Sequence, residues 1–149
     1  MIEISKIFHF EAAHALLGYD GACRHIHGHS YRLIVTVSAS ASSRGYLPAP
    51  GLLFDFKALK KTVQERVLDK LDHALILSTE YLNQHPHLAQ AENIIEFPAE
   101  PSAENLLIYI RDSIMLAFPQ DVQLERLQLY ETETSFATWH HTSTENTKN

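Results

Sequence analysis

His27-Gly28-His29-Ser30-Tyr31-Arg32-Leu33-Ile34-Val35-Thr36-Val37-Ser38 is the stretch from which the fold of this chain is read. Over residues 30–38 the β-branched and aromatic residues put Tyr31, Leu33, Val35 and Val37 on one face, the pattern of a half-buried strand. Upstream, Ile2, Ile4, Phe8 and Phe10 share one parity and Glu3, Ser5, His9 and Glu11 mostly the other, which predicts a first strand running to about Ala12. A turn-rich loop with Gly18, Asp20 and Gly21 joins the two. Downstream, the small-residue stretch Ala39 to Pro50 reads as a loop, and Asp55 is placed to cap a helix from Phe56 to Leu71. Phe56, Leu59, Val63, Val67 and Leu71 recur there at threes and fours, with the lysines turned to water. Ser102 can cap a second helix, Ala103 to about Phe118, with Leu106, Leu107, Ile110, Ile114 and Phe118 at helical spacing and Pro119 as its stop. Val122 to Glu131 alternates through Leu127, Leu129 and Glu131, and Phe136 to Trp139 can pair beside it. Between residues 74 and 101 the pattern is mixed, with a loop at His85-Pro86-His87 and a short strand at Ile94, Ile95 and Phe97. The order strand, strand, helix, helix, strand, strand predicts an α+β fold, an antiparallel sheet with both helices on one face.

A chain of 149 residues suits one domain over residues 1–149, with a polar, frayed tail from Thr142 to Asn149. The formal charge of -6 leaves no cation excess for a nucleic-acid backbone. No segment approaches a membrane span, and no basic stretch followed by an apolar block opens the chain. A single cysteine, Cys23, cannot form an intrachain disulfide, so the expected compartment is the cytoplasm. The 10 histidines exceed what a core uses, and His9, His14, His25, His27 and His29 fall before the second strand is fully under way.

His27 and His29 lie two apart on a strand and project from one face, so both imidazoles can reach one ion, with Gly28 keeping the approach open. His14, just past the expected end of strand one, comes near them if the strands pair. Three neutral imidazoles would leave a tetrahedral zinc with an open position, as catalytic sites have and structural sites do not. An isolated His-x-His pair is otherwise a surface or packing feature; His14 and Cys23 change that balance. Cys23, in a turn before His27, can be a fourth ligand, a nucleophile or a proton acceptor, and Arg24 and His25 beside it favour the thiolate over a merely buried thiol. Asp72-His73, closing the first helix, reads as a carboxylate-oriented imidazole for proton transfer, or as a histidine placed on the helix dipole. Glu131 has the parity of Leu127 and Leu129 and should face the same protected side, where a guanidine-like edge with adjacent N–H groups would satisfy it; the other reading is a strand-end glutamate reaching water.

Phe10-Glu11-Ala12-Ala13-His14, Cys23-x-x-x-His27-Gly28-His29-Ser30-Tyr31, Gly51-x-x-x-Asp55-Phe56-x-x-Leu59-Lys60, Leu71-Asp72-His73, Pro101-Ser102-Ala103-Glu104-Asn105 and Tyr130-Glu131-Thr132 stand in this order along nearly the whole chain. Together they resemble the 6-pyruvoyltetrahydropterin synthase family. The three residues between Cys23 and His27 resemble its bacterial branch, which forms 6-carboxy-5,6,7,8-tetrahydropterin in queuosine biosynthesis; the pyruvoyl-forming animal enzymes have a longer gap. The resemblance implies the tunnelling fold (T-fold), whose unit trimerises into a barrel, two trimers stacking as a hexamer with sites between subunits. It implies that His14, His27 and His29 hold Zn2+, that Cys23 is the catalytic thiol, that Asp72 and His73 are the proton-transfer pair, and that Glu131 anchors the pterin with help from Ser102. The implied activity is that of a zinc-dependent lyase acting on 7,8-dihydroneopterin triphosphate and releasing acetaldehyde and triphosphate. In it the metal acts as a Lewis acid on the side-chain hydroxyls, and Cys23 and His73 move protons. Arg24, His25 and Lys57 are the candidate partners of the triphosphate.

Three features depart from the family pattern: Ala74-Leu75-Ile76-Leu77 follows His73 where Leu-Asn is usual, Ala103 replaces a hydroxyl residue, and the stretch 74–100 is longer. His140 and His141 have no implied role. Two competing readings use the same residues. One is a pyruvoyl-forming or dihydroneopterin-cleaving enzyme; the other is a non-catalytic zinc- or pterin-binding protein in which Cys23 completes a four-ligand shell.

Overall fold

The alternation of the first two strands builds the centre of the molecule. In the computed structural model, which describes residues 1–40 and 45–142, β1 (Glu3–His14) and β2 (His27–Ala39) pair antiparallel from Glu3↔Ser38 to His14↔His27. The first strand runs past Ala12, so His14 is a strand residue rather than the first residue of the loop. Phe8, Phe10 and Ala12 of β1 and Tyr31, Leu33, Val35 and Val37 of β2 are buried on one face, while His9, Glu11, Ser30 and Arg32 have the opposite parity.

The expected C-terminal hairpin is present: β5 (Val122–Tyr130) pairs with β2, and β6 (Phe136–His140) with β5, both antiparallel. A register shift opposite Thr36 and Val37 inserts a bulge into β5. Val122 and Leu124 therefore share the core with Leu127 and Leu129 despite their change of parity.

α1 (Phe56–Val63) begins where Asp55 Oδ1 accepts a hydrogen bond from the Lys57 amide at 2.8 Å. It passes through one π turn, Gln64–Leu68, into the short α2 (Asp69–Leu71), so the expected helix from 56 to 71 is one run with a widened turn. Leu59, Val63, Val67 and Leu71 are buried as the spacing predicts; Phe56 stands exposed in the first turn. The Ser102-capped helix ends earlier than expected, at Ile114, and the chain continues in turns to Phe118. It buries Leu106, Leu107, Ile110 and Ile114 in the same core that receives Leu59 and Val63.

The mixed stretch corrects the expectation of a wholly antiparallel sheet. It forms β3 (Ala74–Ser78), α3 (Thr79–Gln84), a 3-10 turn at Pro86–Gln90, and β4 (Ile94–Phe97); the Ser102-capped helix, Ala103–Ile114, is thus α4. β3 runs parallel to β1 with Ala12 opposite Ala74, and β4 runs parallel to β3. The six strands lie in the order β4-β3-β1-β2-β5-β6, a mixed sheet that keeps the α+β class and the two main helices on its apolar face. A second, smaller apolar cluster of Ala15, Leu77, Tyr81 and Leu82 fixes α3 near the end of β1. Among the described residues no helix is long and apolar enough to cross a membrane. The expected polar tail, beyond Thr142, and part of the Ala39–Pro50 loop lie outside the described residues.

Candidate functional site

The antiparallel register sets His14 directly opposite His27, and Ala12 opposite His29, so the three imidazoles meet at one end of the buried face. Their ring centroids are 4.6, 5.0 and 4.8 Å apart in pairs. His14 Nε2 lies 3.1 Å from His27 Nε2 and 3.2 Å from His29 Nε2. On their other sides, His14 Nδ1 is 2.6 Å from the Pro101 carbonyl oxygen and His27 Nδ1 is 2.7 Å from the His25 carbonyl oxygen. A carbonyl can only accept, so in both rings Nδ1 carries the proton and, in the neutral ring, Nε2 presents a lone pair. Two lone pairs at hydrogen-bond distance repel unless a cation lies between them.

Burial pushes the pKa of His14 and of His29 down, which keeps these rings in the neutral form that a metal requires; Glu131 opposes that shift without reversing it. The candidate ligand atoms of His14, His27 and His29 all lie within 4.8 Å of one another. Zinc–imidazole bonds of about 2.0–2.1 Å at tetrahedral angles separate nitrogens by about 3.3 Å, close to the spacings at His14. The donor set fits a zinc-class ion, and the carbonyls of Pro101 and His25 orient two of the ligands.

Around this cluster the structure distributes the remaining candidates unequally. Glu131, just past β5, faces the imidazoles as its parity predicts, with Oε1 3.5 Å from His14 Nε2 and 3.8 Å from His29 Nε2. It also lines a cleft of about 370 Å³ together with Ala103, Glu104, Ser135 and Phe136. The Ser102 hydroxyl oxygen accepts from the Asn105 amide at 3.3 Å as the cap of α4, which leaves its proton as the group it can offer a ligand. Cys23 sits half-buried in the 3-10 turn Ala22–Arg24 and stands outside the three-imidazole cluster. Its carbonyl accepts from the Leu16 amide at 2.9 Å, which folds the loop back onto the end of β1. Arg24 Nε donates to His25 Nε2 at 3.3 Å, which places both side chains just before His27, whereas Lys57 stands exposed at the start of α1.

Asp72 and His73 form the expected pair, with Asp72 Oδ1 3.0 Å from His73 Nδ1 and accepting from the Glu11 amide at 2.9 Å. His73 has φ +64, donates its amide to the Glu11 carbonyl, and receives Asn93 Nδ2 on its own carbonyl at 3.0 Å. Its side chain is 78% exposed. His73, a turn residue immediately before β3, lines a cleft of about 310 Å³ with Glu11, Ala13, Gly28, His29, Ser30 and Asn93, so the cleft borders the imidazole cluster at His29. His140 pairs in β6 opposite Arg126, and the His141 amide donates to the Glu125 carbonyl, away from both groups.

Tyr31 is the site residue that motif reading did not single out. It is 1% exposed and stacks on Phe10 at 4.9 Å, with its hydroxyl 3.4 Å from His14 Nδ1. Burial first, then Glu131 and Cys23, raise its pKa, so it stays a neutral phenol. The signal was available: Tyr31 shares the parity of His27 and His29.

The sequence matches the 6-pyruvoyl tetrahydropterin synthase family over residues 3–142. It is 36% identical over 140 residues to the 6-carboxy-5,6,7,8-tetrahydropterin synthase of Haemophilus influenzae, spanning 91% of this chain and 96% of that one. In fold it is similar to the uncharacterized protein WS1659 of Wolinella succinogenes, with a TM-score of 0.74 at 19% identity, covering 95% of this chain and 98% of that one. It is also similar to the 6-pyruvoyl tetrahydropterin synthase of Caenorhabditis elegans, with a TM-score of 0.68 at 22% identity, covering 95% and 96%. The match runs through both strands that carry the imidazoles and on past Glu131, and the chain belongs to the 6-pyruvoyl tetrahydropterin synthase family.

Proposed function

We propose that this chain is a zinc-dependent lyase that converts 7,8-dihydroneopterin triphosphate to 6-carboxy-5,6,7,8-tetrahydropterin, acetaldehyde and triphosphate, with a water consumed. The observation that carries the reading is the facing pair of Nε2 nitrogens of His14 and His27 at 3.1 Å, beside a thiol that stands outside the ligand cluster. His14, His27 and His29 hold the ion, which supplies Lewis acidity at the hydroxyls of the substrate side chain. Glu131 accepts the adjacent N–H groups of the pterin ring, and Ser102 offers its proton beside it. The thiolate of Cys23 takes protons from the side-chain carbons, and His73, held by Asp72, serves the opposite side. Arg24 and His25, just upstream of His27, are the chain's own candidates for the phosphates. The 78% exposure of His73 on an open cleft that also reaches His29 supports a site completed by a second copy of the chain, as in a trimer or a hexamer of stacked trimers. The 36% identity over most of the chain to a 6-carboxy-forming enzyme supports the carboxy product over the pyruvoyl one.

The test is incubation of the zinc-loaded protein with 7,8-dihydroneopterin triphosphate, following acetaldehyde and the pterin product together by mass spectrometry. Acetaldehyde with the 6-carboxy product is the expected result. A pyruvoyl product without acetaldehyde moves the assignment to the sister activity. No turnover with metal bound refutes the lyase.

A further inference from the structure

Residues 100–105, between β4 and the first turn of α4, send hydrogen bonds to two separate parts of the site. Glu100 Oε2 accepts from the Leu17 amide at 2.8 Å, at the entry of the loop that carries Cys23, and the neighbouring Leu16 amide closes that loop on the Cys23 carbonyl. One residue on, the Pro101 carbonyl takes the His14 Nδ1 proton. The aim of both acceptors depends on the backbone between them. Asn105 Nδ2 donates to the Glu100 carbonyl at 2.9 Å, the Ser102 amide donates to the same oxygen at 2.9 Å, and the Asn105 amide is tied to the Ser102 hydroxyl.

We propose that Glu100 and Asn105 are positioning residues of the site. Glu100 holds the Cys23 loop against the imidazole cluster, and Asn105 locks the Glu100-Pro101 backbone so that the carboxylate and the carbonyl keep their separate aims. The proposal rests on the reading of the cluster and Cys23 as one site. Residue type is decisive in both places. A carboxylate makes a charge-assisted bond to a backbone amide, stronger than a neutral acceptor makes. Asparagine alone combines a side-chain donor for the Glu100 carbonyl with the size of aspartate, which has no donor and would repel that oxygen.

Three variants of the full chain test this: Glu100→Ala, Glu100→Gln and Asn105→Asp. The chain has a single cysteine, so iodoacetamide alkylation reports on Cys23 alone; zinc affinity is read by competition with a chromophoric chelator. Losing the acceptor in Glu100→Ala should free the loop and raise the alkylation rate about threefold or more, with zinc affinity nearly unchanged. Glu100→Gln, whose amide oxygen still accepts from Leu17 but without charge assistance, should give a rate between those of Glu100→Ala and the wild type. Asn105→Asp adds a second acidic residue, beside Glu104, to the first turn of α4, which favours the helix, and should lower zinc affinity about tenfold while also raising alkylation. A general loss of stability would lower the melting midpoint without this separation of the two readouts. Equal alkylation rates in Glu100→Ala and wild type, or unchanged zinc affinity in Asn105→Asp, overturn the proposal. Pterin turnover by the unaltered protein is scored separately: its absence alongside these shifts refutes the lyase and not the positioning, and its presence without them refutes the positioning alone.

Discussion

Replacing His14 by alanine separates the cost of the site from its purpose. In the metal-free protein the ring is 1% exposed and satisfies the Pro101 carbonyl, and stranding that buried acceptor costs about 1–3 kcal/mol. Against this, the substitution removes the crowding of the His14 Nε2 lone pair against His27 at 3.1 Å. The two effects oppose, so the metal-free variant should lose only about 1–2 kcal/mol, a drop of roughly 2–8 °C in melting midpoint for a chain of this size. Metal binding is affected far more. Four-ligand zinc sites bind with about 10–16 kcal/mol, about 3 kcal/mol per ligand, and losing one of three imidazoles should weaken affinity about a hundredfold or more. The assay is a thermal melt of both proteins with and without excess zinc at one pH, backed by chelator competition. Zinc raises the wild-type midpoint in proportion to the logarithm of its concentration over its dissociation constant, and this increment should nearly vanish in the variant while the metal-free midpoints stay close. A variant that binds zinc within threefold of the wild type would refute the reasoning, because a bare Nε2 pointed at two others would then serve no ion.

Cys23→Ala should abolish turnover and leave zinc bound, since the thiol stands outside the ligand cluster; retained activity with stoichiometric metal would remove Cys23 from the chemistry. Glu131→Gln should raise KM for the pterin about 10- to 100-fold, the worth of a charge-assisted pair of bonds, and steady-state kinetics showing an unchanged KM would end its role as anchor. Burial depresses the pKa of His14 and His29 below the ordinary 6.5, so the unfolded chain takes up these protons first on acidification. The urea midpoint of the metal-free protein should therefore be flat with respect to these groups above about pH 6.5 and fall below it; a midpoint that rises on acidification contradicts the assignment of neutral rings. If the site is shared between copies, mixing inactive Cys23→Ala and His73→Ala chains should restore about a quarter of the wild-type rate, and an inactive mixture of properly assembled chains would sink the shared site.

The strand pair was legible because both of its strands are amphipathic: Phe8 and Phe10, and Leu33 and Val35, alternate without interruption, and the same alternation placed His27, His29 and Glu131 on the buried side. β3 was not legible for the opposite reason. Ala74-Leu75-Ile76-Leu77-Ser78 lies between parallel strands and reads as a continuous apolar run with no period to distinguish it from the end of a helix. The bulge in β5 was hidden because an extra residue reverses parity, so the alternation of Leu127, Leu129 and Glu131 does not carry back to Val122 and Leu124. The supports of the site were hidden because they are backbone groups: no residue type marks the Pro101 carbonyl as the partner of His14, or the Leu16 amide as the partner of the Cys23 carbonyl.

The exposure of His73 bears on how the proposed chemistry is assembled. Ala12, His14 and His29 share one face of β1 and β2 and Glu11, Ala13 and Ser30 the other, while His73 stands 78% exposed on a cleft bordered by residues of both rows, His29 among them. If the imidazoles and the Asp72–His73 pair act on one substrate, that substrate lies at this open cleft, where a second copy of the chain can close over it. Among the described residues the sheet is open at both ends, with β4 and β6 each flanked on one side only, and such edges are suited to pairing between chains. Assembly would then be a condition of catalysis rather than an accessory to stability. The mixing experiment tests that consequence directly, because it requires a working site whose two halves come from chains that are each inactive alone.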